Sequence, residues 1–219
     1  STLKITINDV IYGDGWGFGA EQLRAALADF DGDRIEIYLN SPGGEVFEAR
    51  TMCSMLARQT AHKVVYIDGL AASCASWLAL SGDEVVMANG TRMMIHRSWC
   101  LSIDNCAGLR KTADILESLD SDMVNDYMAA VQKHGKDTTV EEMTAYVDAE
   151  TWFTPQQALD VGLIDRIDGQ KSDAAANFDL SAFENAPKPD ALPAQNNVDR
   201  DVAIAAQIAR NERHLRIMT

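Results

Sequence analysis

Gly69-Leu70-Ala71-Ala72-Ser73-Cys74-Ala75-Ser76 is a run of small residues between two stretches of opposite preference. Lys63-Val64-Val65-Tyr66-Ile67 before it is β-branched and aromatic, whereas Ala71 to Leu80 is rich in Ala and Leu. The expected state therefore changes from strand to helix across Gly69. That change places Ser73 near a helix N-terminus, where unpaired N–H groups and the positive dipole end favour an oxyanion and small neighbours leave room for a substrate backbone. A serine there is also an ordinary helix cap. The run acquires chemical meaning only with partners from elsewhere in the chain.

Two segments supply candidates. Asn40-Ser41-Pro42-Gly43-Gly44-Glu45-Val46 follows the strand expected at Arg34 to Leu39 and opens a helix carrying Val46, Ala49, Met52 and Leu56. Consecutive glycines can bring bare backbone N–H groups to a ligand because no Cβ intervenes, although Pro-Gly-Gly is equally good turn chemistry. His96 ends the short apolar strand Arg92 to Ile95, as either a satisfied core histidine or a base delivered to a cleft. A third motif, Gly15-Trp16-Gly17-Phe18-Gly19-Ala20, fits a loose dinucleotide fingerprint. The strand after it ends in Asn40 rather than the acid that would hold a ribose, which argues against a nucleotide site.

The remaining elements follow from periodicity. Leu3, Ile5 and Ile7 alternate with polar residues as in a strand, and Leu23, Ala26, Leu27 and Phe30 share one helix face. Glu84 to Met87 reads as a further short extended piece. Leu109, Ala113, Leu116, Leu119, Met123, Tyr127 and Val131 recur at three- and four-residue steps and predict one long amphipathic helix. Thr139 with Glu142 predicts a capped short helix through Tyr146. Thr154-Pro155-Gln156-Gln157 predicts another, ended by Gly162, with a strand at Leu163 to Ile167. After Gly169 the chain turns polar and Pro/Asn-rich. Residues 1–168 therefore read as one domain, 169–197 as a linker, and 198–219 as a candidate amphipathic helix.

Composition sets outer bounds. The 219 residues, 47% hydrophobic and 24% charged, are ordinary for a globular chain with one good-sized core. A net charge of −14 disfavours nonspecific attraction to nucleic acid. The apolar run Ala71 to Leu80 is too short for the ~20 residues of a membrane span, and no basic-then-apolar leader opens the chain. Cys53, Cys74, Cys100 and Cys106 lack metal-ligand spacing, so no metal is expected, and reduced, mostly buried thiols in a cytosol are the default.

A hydrolytic serine needs a base, an acid and two oxyanion donors, which distant positions can supply. The order Ser73, His96, then an acid resembles the caseinolytic protease (ClpP) family of serine peptidases. Asn40 to Gly44 is similar to its glycine loop, Gly69 to Ser73 to its nucleophile turn, and Met94-Ile95-His96 to its histidine strand. Phe153-Thr154 through Gly162-Leu163-Ile164-Asp165 is similar to the segment after its acid, and the resemblance covers residues 3–168. It implies Ser73 as nucleophile, His96 as base, Gly44 and Cys74 N–H groups as oxyanion hole, and Gly43 and Gly44 as substrate-binding backbone. The family's aspartate falls on Glu150, one methylene longer, with Asp148 as the alternative acid.

The resemblance also implies an α/β fold of the ClpP/crotonase type, a spiral of repeated β-β-α units in which the long helix is the family's handle. A homo-oligomer follows, with a ring as one arrangement open to it, and no cofactor. Glu150-Thr151-Trp152-Phe153-Thr154, the Trp16 loop and the Pro/Asn tail are most similar to the ClpP-related head maturation proteases of tailed phages and prophages. They imply capsid or scaffold precursors as substrates, in the bacterial cytoplasm or an assembling prohead, without nucleic acid or membrane as partner. The alternatives are a proteolytic subunit fed by an AAA+ unfoldase, a crotonase-like acyl-CoA enzyme, and a non-enzymatic assembly protein retaining the fold.

Overall fold

The computed structural model describes residues 1–171 and 178–187. The amphipathic helix expected at 198–219 lies outside the described residues. The elements in chain order are β1 (Thr2–Ile7), α1 (Ala20–Leu27), β2 (Arg34–Ser41), α2 (Val46–Ala57), β3 (His62–Ala72), α3 (Cys74–Leu80), β4 (Glu84–Asn89) and β5 (Arg92–Ile95). They continue with α4 (Cys106–Lys133), α5 (Val140–Asp148), β6 (Thr151–Phe153), α6 (Pro155–Val161) and β7 (Arg166–Lys171). This is a mixed α/β architecture. A parallel sheet runs β1-β2-β3-β4-β7, and β5 pairs with β3 and, antiparallel, with β6.

Strand β3 organises the sheet because it changes partner along its length. Val64 to Ile67 pair with Glu84 to Met87 of β4, while Leu70 to Ala72 pair with Arg92 to Met94 of β5. Strand β2 follows it to Ser41↔Ala71 across a bulge. Asn40 holds that bulge: its Oδ1 accepts from Leu70 N–H at 3.0 Å and its Nδ2 donates to Asn8 Oδ1 at 2.6 Å. The asparagine that stood where a ribose-binding acid was sought is thus a buried structural bracket. Val65, Ile67, Ile37, Leu39 and Met87 are buried in one core with α2, α3 and the C-terminal half of α4, the burial expected of a parallel sheet covered by helices.

The strand-to-helix change lies four residues later than the expected one at Gly69. β3 continues through Ala72, Ser73 is the single hinge residue, and α3 starts at Cys74. Hydrogen bonding to β5 overrides the helix preference of Ala71 and Ala72. The two capping boxes form as expected, with Thr139 Oγ1 accepting from Glu142 N–H and Thr154 Oγ1 from Gln157 N–H. Gly162 closes α6 at φ 98°. The final strand runs later than Leu163 to Ile167, because Leu163 and Ile164 are buried in the core before β7 begins.

Three further differences concern burial and extent. Leu109 and Ile115 on the N-terminal half of α4 are exposed, and the helix serves the core through buried Met123, Val124, Tyr127 and Val131 with Met128 packed beside them. Cys74 is buried and Cys53 partly so, but Cys100 and Cys106 are exposed rather than buried. The boundary expected at residue 168 falls inside β7, and the compact unit extends through Ala186. Phe178, Leu180 and Phe183, from the stretch read as linker, pack on Leu70, Ala72, Met94 and Trp152.

Candidate active site

Ser73 and His96 meet because β3 and β5 are parallel neighbours and each residue stands just beyond its strand. Ser73 N–H donates to Met94 O at 2.9 Å, fixing the two strand ends. His96 Nε2 then lies 2.8 Å from Ser73 Oγ, the separation of a nucleophile and its base. Strand ends at a sheet's carboxyl edge are where α/β folds place ligands. Ser73 has φ 56° and ψ −131°, a sparsely populated conformation for a residue with a side chain. The sharp turn presents the hydroxyl above the sheet, the logic of a nucleophile elbow.

The glycine loop packs directly on this turn. A Cβ on Gly43, at φ 88°, would stand 2.6 Å from Ala72 O and 2.8 Å from Ser73 Cβ. Gly44, at φ 150°, would place one 2.1 Å from Ile11 O. Both glycines are therefore required by close approach and not by turn chemistry alone. Ile11 N–H donates to Gly43 O and Glu45 N–H to Ile11 O, each at 2.8 Å, which locks the loop. Cys74 follows Ser73 as the first residue of α3, and burial pushes its thiol up to about 12, against the opposing effect of Gly44 N–H. So high a value keeps the sulfur protonated and unreactive, and the Ser73 hydroxyl is the group of the turn in contact with His96.

A buried relay braces the turn from below. Ser76 Oγ donates to Ser73 O at 2.6 Å and lies 2.6 Å from Tyr127 Oη, so the tyrosine hydroxyl donates to the serine. Tyr127 is fully buried, and its burial raises its pKa. Sequence reading found Tyr127 only as part of an apolar stripe. Nothing in the chain links it to Ser76, 51 residues away.

The acids are arranged less simply. Asp148, the alternative acid, accepts from Arg97 Nε at 2.7 Å and is held there. Burial lowers the pKa of His96, and the charges of Glu150 and of Asp120 on α4 oppose that shift. Glu150 therefore lies within electrostatic range of the imidazole. Among the described residues, however, its hydrogen bonds go elsewhere: Oε1 accepts from Trp152 Nε1 at 3.2 Å and Asn185 N–H at 2.7 Å, and Oε2 from Glu184 N–H at 3.0 Å. Glu150 itself has φ 48°. Asp120, absent from the sequence-based candidates, binds Ser98 N–H at 2.7 Å and Arg97 Nη1 at 3.5 Å.

No helix among the described residues is long and apolar enough to cross a membrane, and those residues contain no group of three or more metal-ligating side chains. The arrangement can perform acyl transfer: a hydroxyl on a strained turn, a base in contact with it, a nearby carboxylate and bare backbone beside the hydroxyl.

Comparison with known proteins agrees with that chemistry. The family model described as Clp protease matches residues 20–171. The chain is 29% identical over 135 residues to the ATP-dependent Clp protease proteolytic subunit 2 of Rhodococcus jostii, covering 61% of this chain and 67% of that one. It is 31% identical over 154 residues to proteolytic subunit 3 of the same organism, covering 68% and 71%. It is 27% identical over 156 residues to the proteolytic subunit of Bacteroides fragilis, covering 68% and 73%. With a family match spanning more than half of its length, the chain belongs to the Clp protease family and is a serine endopeptidase.

Proposed function

We propose that Ser73, His96 and Glu150 form the catalytic triad, and the 2.8 Å contact of Ser73 Oγ with His96 Nε2 carries this reading. Ser73 Oγ attacks the scissile carbonyl while His96 Nε2 takes its proton. The resulting oxyanion is received by the Gly44 and Cys74 N–H groups, and Gly43 and Gly44 lay out the extended substrate. Collapse breaks the C–N bond, and His96 returns the proton to the leaving amine. Water, deprotonated by the same imidazole, then releases the acyl group. Glu150 is favoured over Asp148 because its charge acts on His96, whereas Asp148 is occupied by Arg97.

The matched relatives are named as ATP-dependent Clp proteolytic subunits. They support a homo-oligomeric peptidase that degrades polypeptides delivered by an ATP-driven unfoldase. In the same reading the sheet is part of the ClpP/crotonase β-β-α spiral and α4 is its handle. A second reading, cleavage of phage capsid or scaffold precursors during head maturation, draws on the Glu150 to Thr154 wording and the C-terminal extension. The first test is labelling by a serine-directed fluorophosphonate. Wild type is expected to label and cleave an unstructured polypeptide, while Ser73→Ala does neither. Equal cleavage by both would refute the serine assignment. Cleavage of a folded substrate only with an AAA+ partner and ATP supports the first reading, and processing of a capsid precursor without ATP supports the second.

A further inference from the structure

The segment after β7 returns to the active site. Phe178, Leu180 and Phe183 cover Leu70, Ala72, Met94 and Trp152, the strand-end residues on which Ser73 and His96 stand. Phe183 meets the His96 ring edge-on at 5.4 Å between centroids and the Trp152 ring at 5.8 Å. Immediately beyond it, Glu184 N–H and Asn185 N–H donate to the two oxygens of Glu150, and Asn185 Nδ2 donates to Ala149 O at 3.0 Å. The Ser73 to His96 contact is intact beneath this cover. The segment therefore builds a wall of the site without displacing its reacting pair.

We propose that Phe183, Glu184 and Asn185 form a C-terminal clamp whose two backbone N–H groups hold the Glu150 carboxylate as a fixed negative charge beside His96, while Phe183 holds the imidazole. This inference rests on the triad assigned above. Glu150 sits on a turn with positive φ and has a side chain one methylene longer than aspartate; without the clamp it keeps the Trp152 Nε1 bond to Oε1 but loses both backbone donors, and its carboxylate gains rotamer freedom that a catalytic acid cannot have. The clamp residues are positioning residues: they act through Glu150 and His96. The charges that act on the imidazole are those of Glu150 and of Asp120 from α4; Arg97 pairs with Asp120 and with Asp148 of α5, and Glu184 belongs to the clamp itself.

The test is to remove one backbone donor in the full-length chain. Asn185→Pro deletes the N–H to Oε1, and Asn185→Ala keeps it while deleting only the side-chain bond to Ala149. Asn185→Pro is expected to lower kcat for a peptide substrate about tenfold with KM within about twofold, and to move the acid limb of the pH profile downward as the carboxylate leaves His96. Asn185→Ala, which keeps the N–H to Glu150, is expected to lose much less than Asn185→Pro. In a Glu150→Gln background, Asn185→Pro has no further effect, which a merely misfolded variant would not reproduce. Glu184→Pro provides a second, independent donor deletion. An unchanged or faster Asn185→Pro enzyme overturns the clamp, a faster one marking the segment as an inhibitory cover. So does equal loss in Asn185→Ala and Asn185→Pro, or additive loss with Glu150→Gln. Failure of wild type to label at Ser73 refutes the serine mechanism instead, so the two failures are distinct.

Discussion

At the scale of single residues, His96 carries the most information. Burial makes its imidazole harder to protonate, and the charges of Glu150 and Asp120 only partly offset that effect. A base with a lowered pKa stays neutral, and therefore competent, to lower pH. The acid limb of kcat/KM is expected below the ~6.5 of an ordinary histidine. Glu150→Gln removes one of the two opposing charges, so it should both slow the enzyme and move that limb further down. Asp148→Asn, whose partner is the solvent-accessible Arg97, should change the rate much less. A pH–rate profile for each variant checks the ranking, and a larger loss in Asp148→Asn would reassign the acid.

At the scale of elements, the turn at Ser73 is held on both sides by groups far away in sequence. Above it lies the glycine loop: Gly43→Ala places a methyl group against Ala72 O and Ser73 at a φ that disfavours any side chain. The variant should lose at least about 1 kcal/mol of stability, read as a lower denaturation midpoint, with slower fluorophosphonate labelling. Below it lies the Tyr127 to Ser76 relay from α4 to α3. Tyr127→Phe deletes a buried donor at a cost of about 1–3 kcal/mol. It should slow labelling of Ser73 without touching the substrate groove, and unchanged thermal stability would show that the relay is not held.

At the scale of the whole molecule, apolar exposure is concentrated around the entry to α4. Trp99, Leu101 and Ile103 in the loop before it and Leu109 and Ile115 on its first turns are all exposed, whereas the second half of the helix is core. A helix half buried and half bare is consistent with the homo-oligomer proposed above. Ile115→Glu is expected to shift the protein to a smaller species in sedimentation velocity while leaving its fold unchanged. An unaltered sedimentation coefficient would remove this helix face from the assembly contact.

By itself the sequence determined the pieces. Period-2 and period-3.6 patterns located the strands and long helices, Thr139 and Thr154 announced their capping boxes, and Gly43-Gly44, Ser73 and His96 stood out as reactive or permissive residues at element ends. These are local signals, carried by residues a few positions apart. Only the tertiary structure decided what depends on juxtaposition: that β3 runs to Ala72 because β5 pairs with it, that Asn40 brackets a bulge, and that Tyr127 reaches Ser76. Juxtaposition also decided that Glu150 faces the backbone of Glu184 and Asn185, 34 and 35 residues further on. The Pro/Asn-rich composition after Gly169 concealed that segment, because three apolar side chains among polar neighbours have no periodicity. They become a wall only when the sheet supplies Leu70, Met94 and Trp152 to receive them.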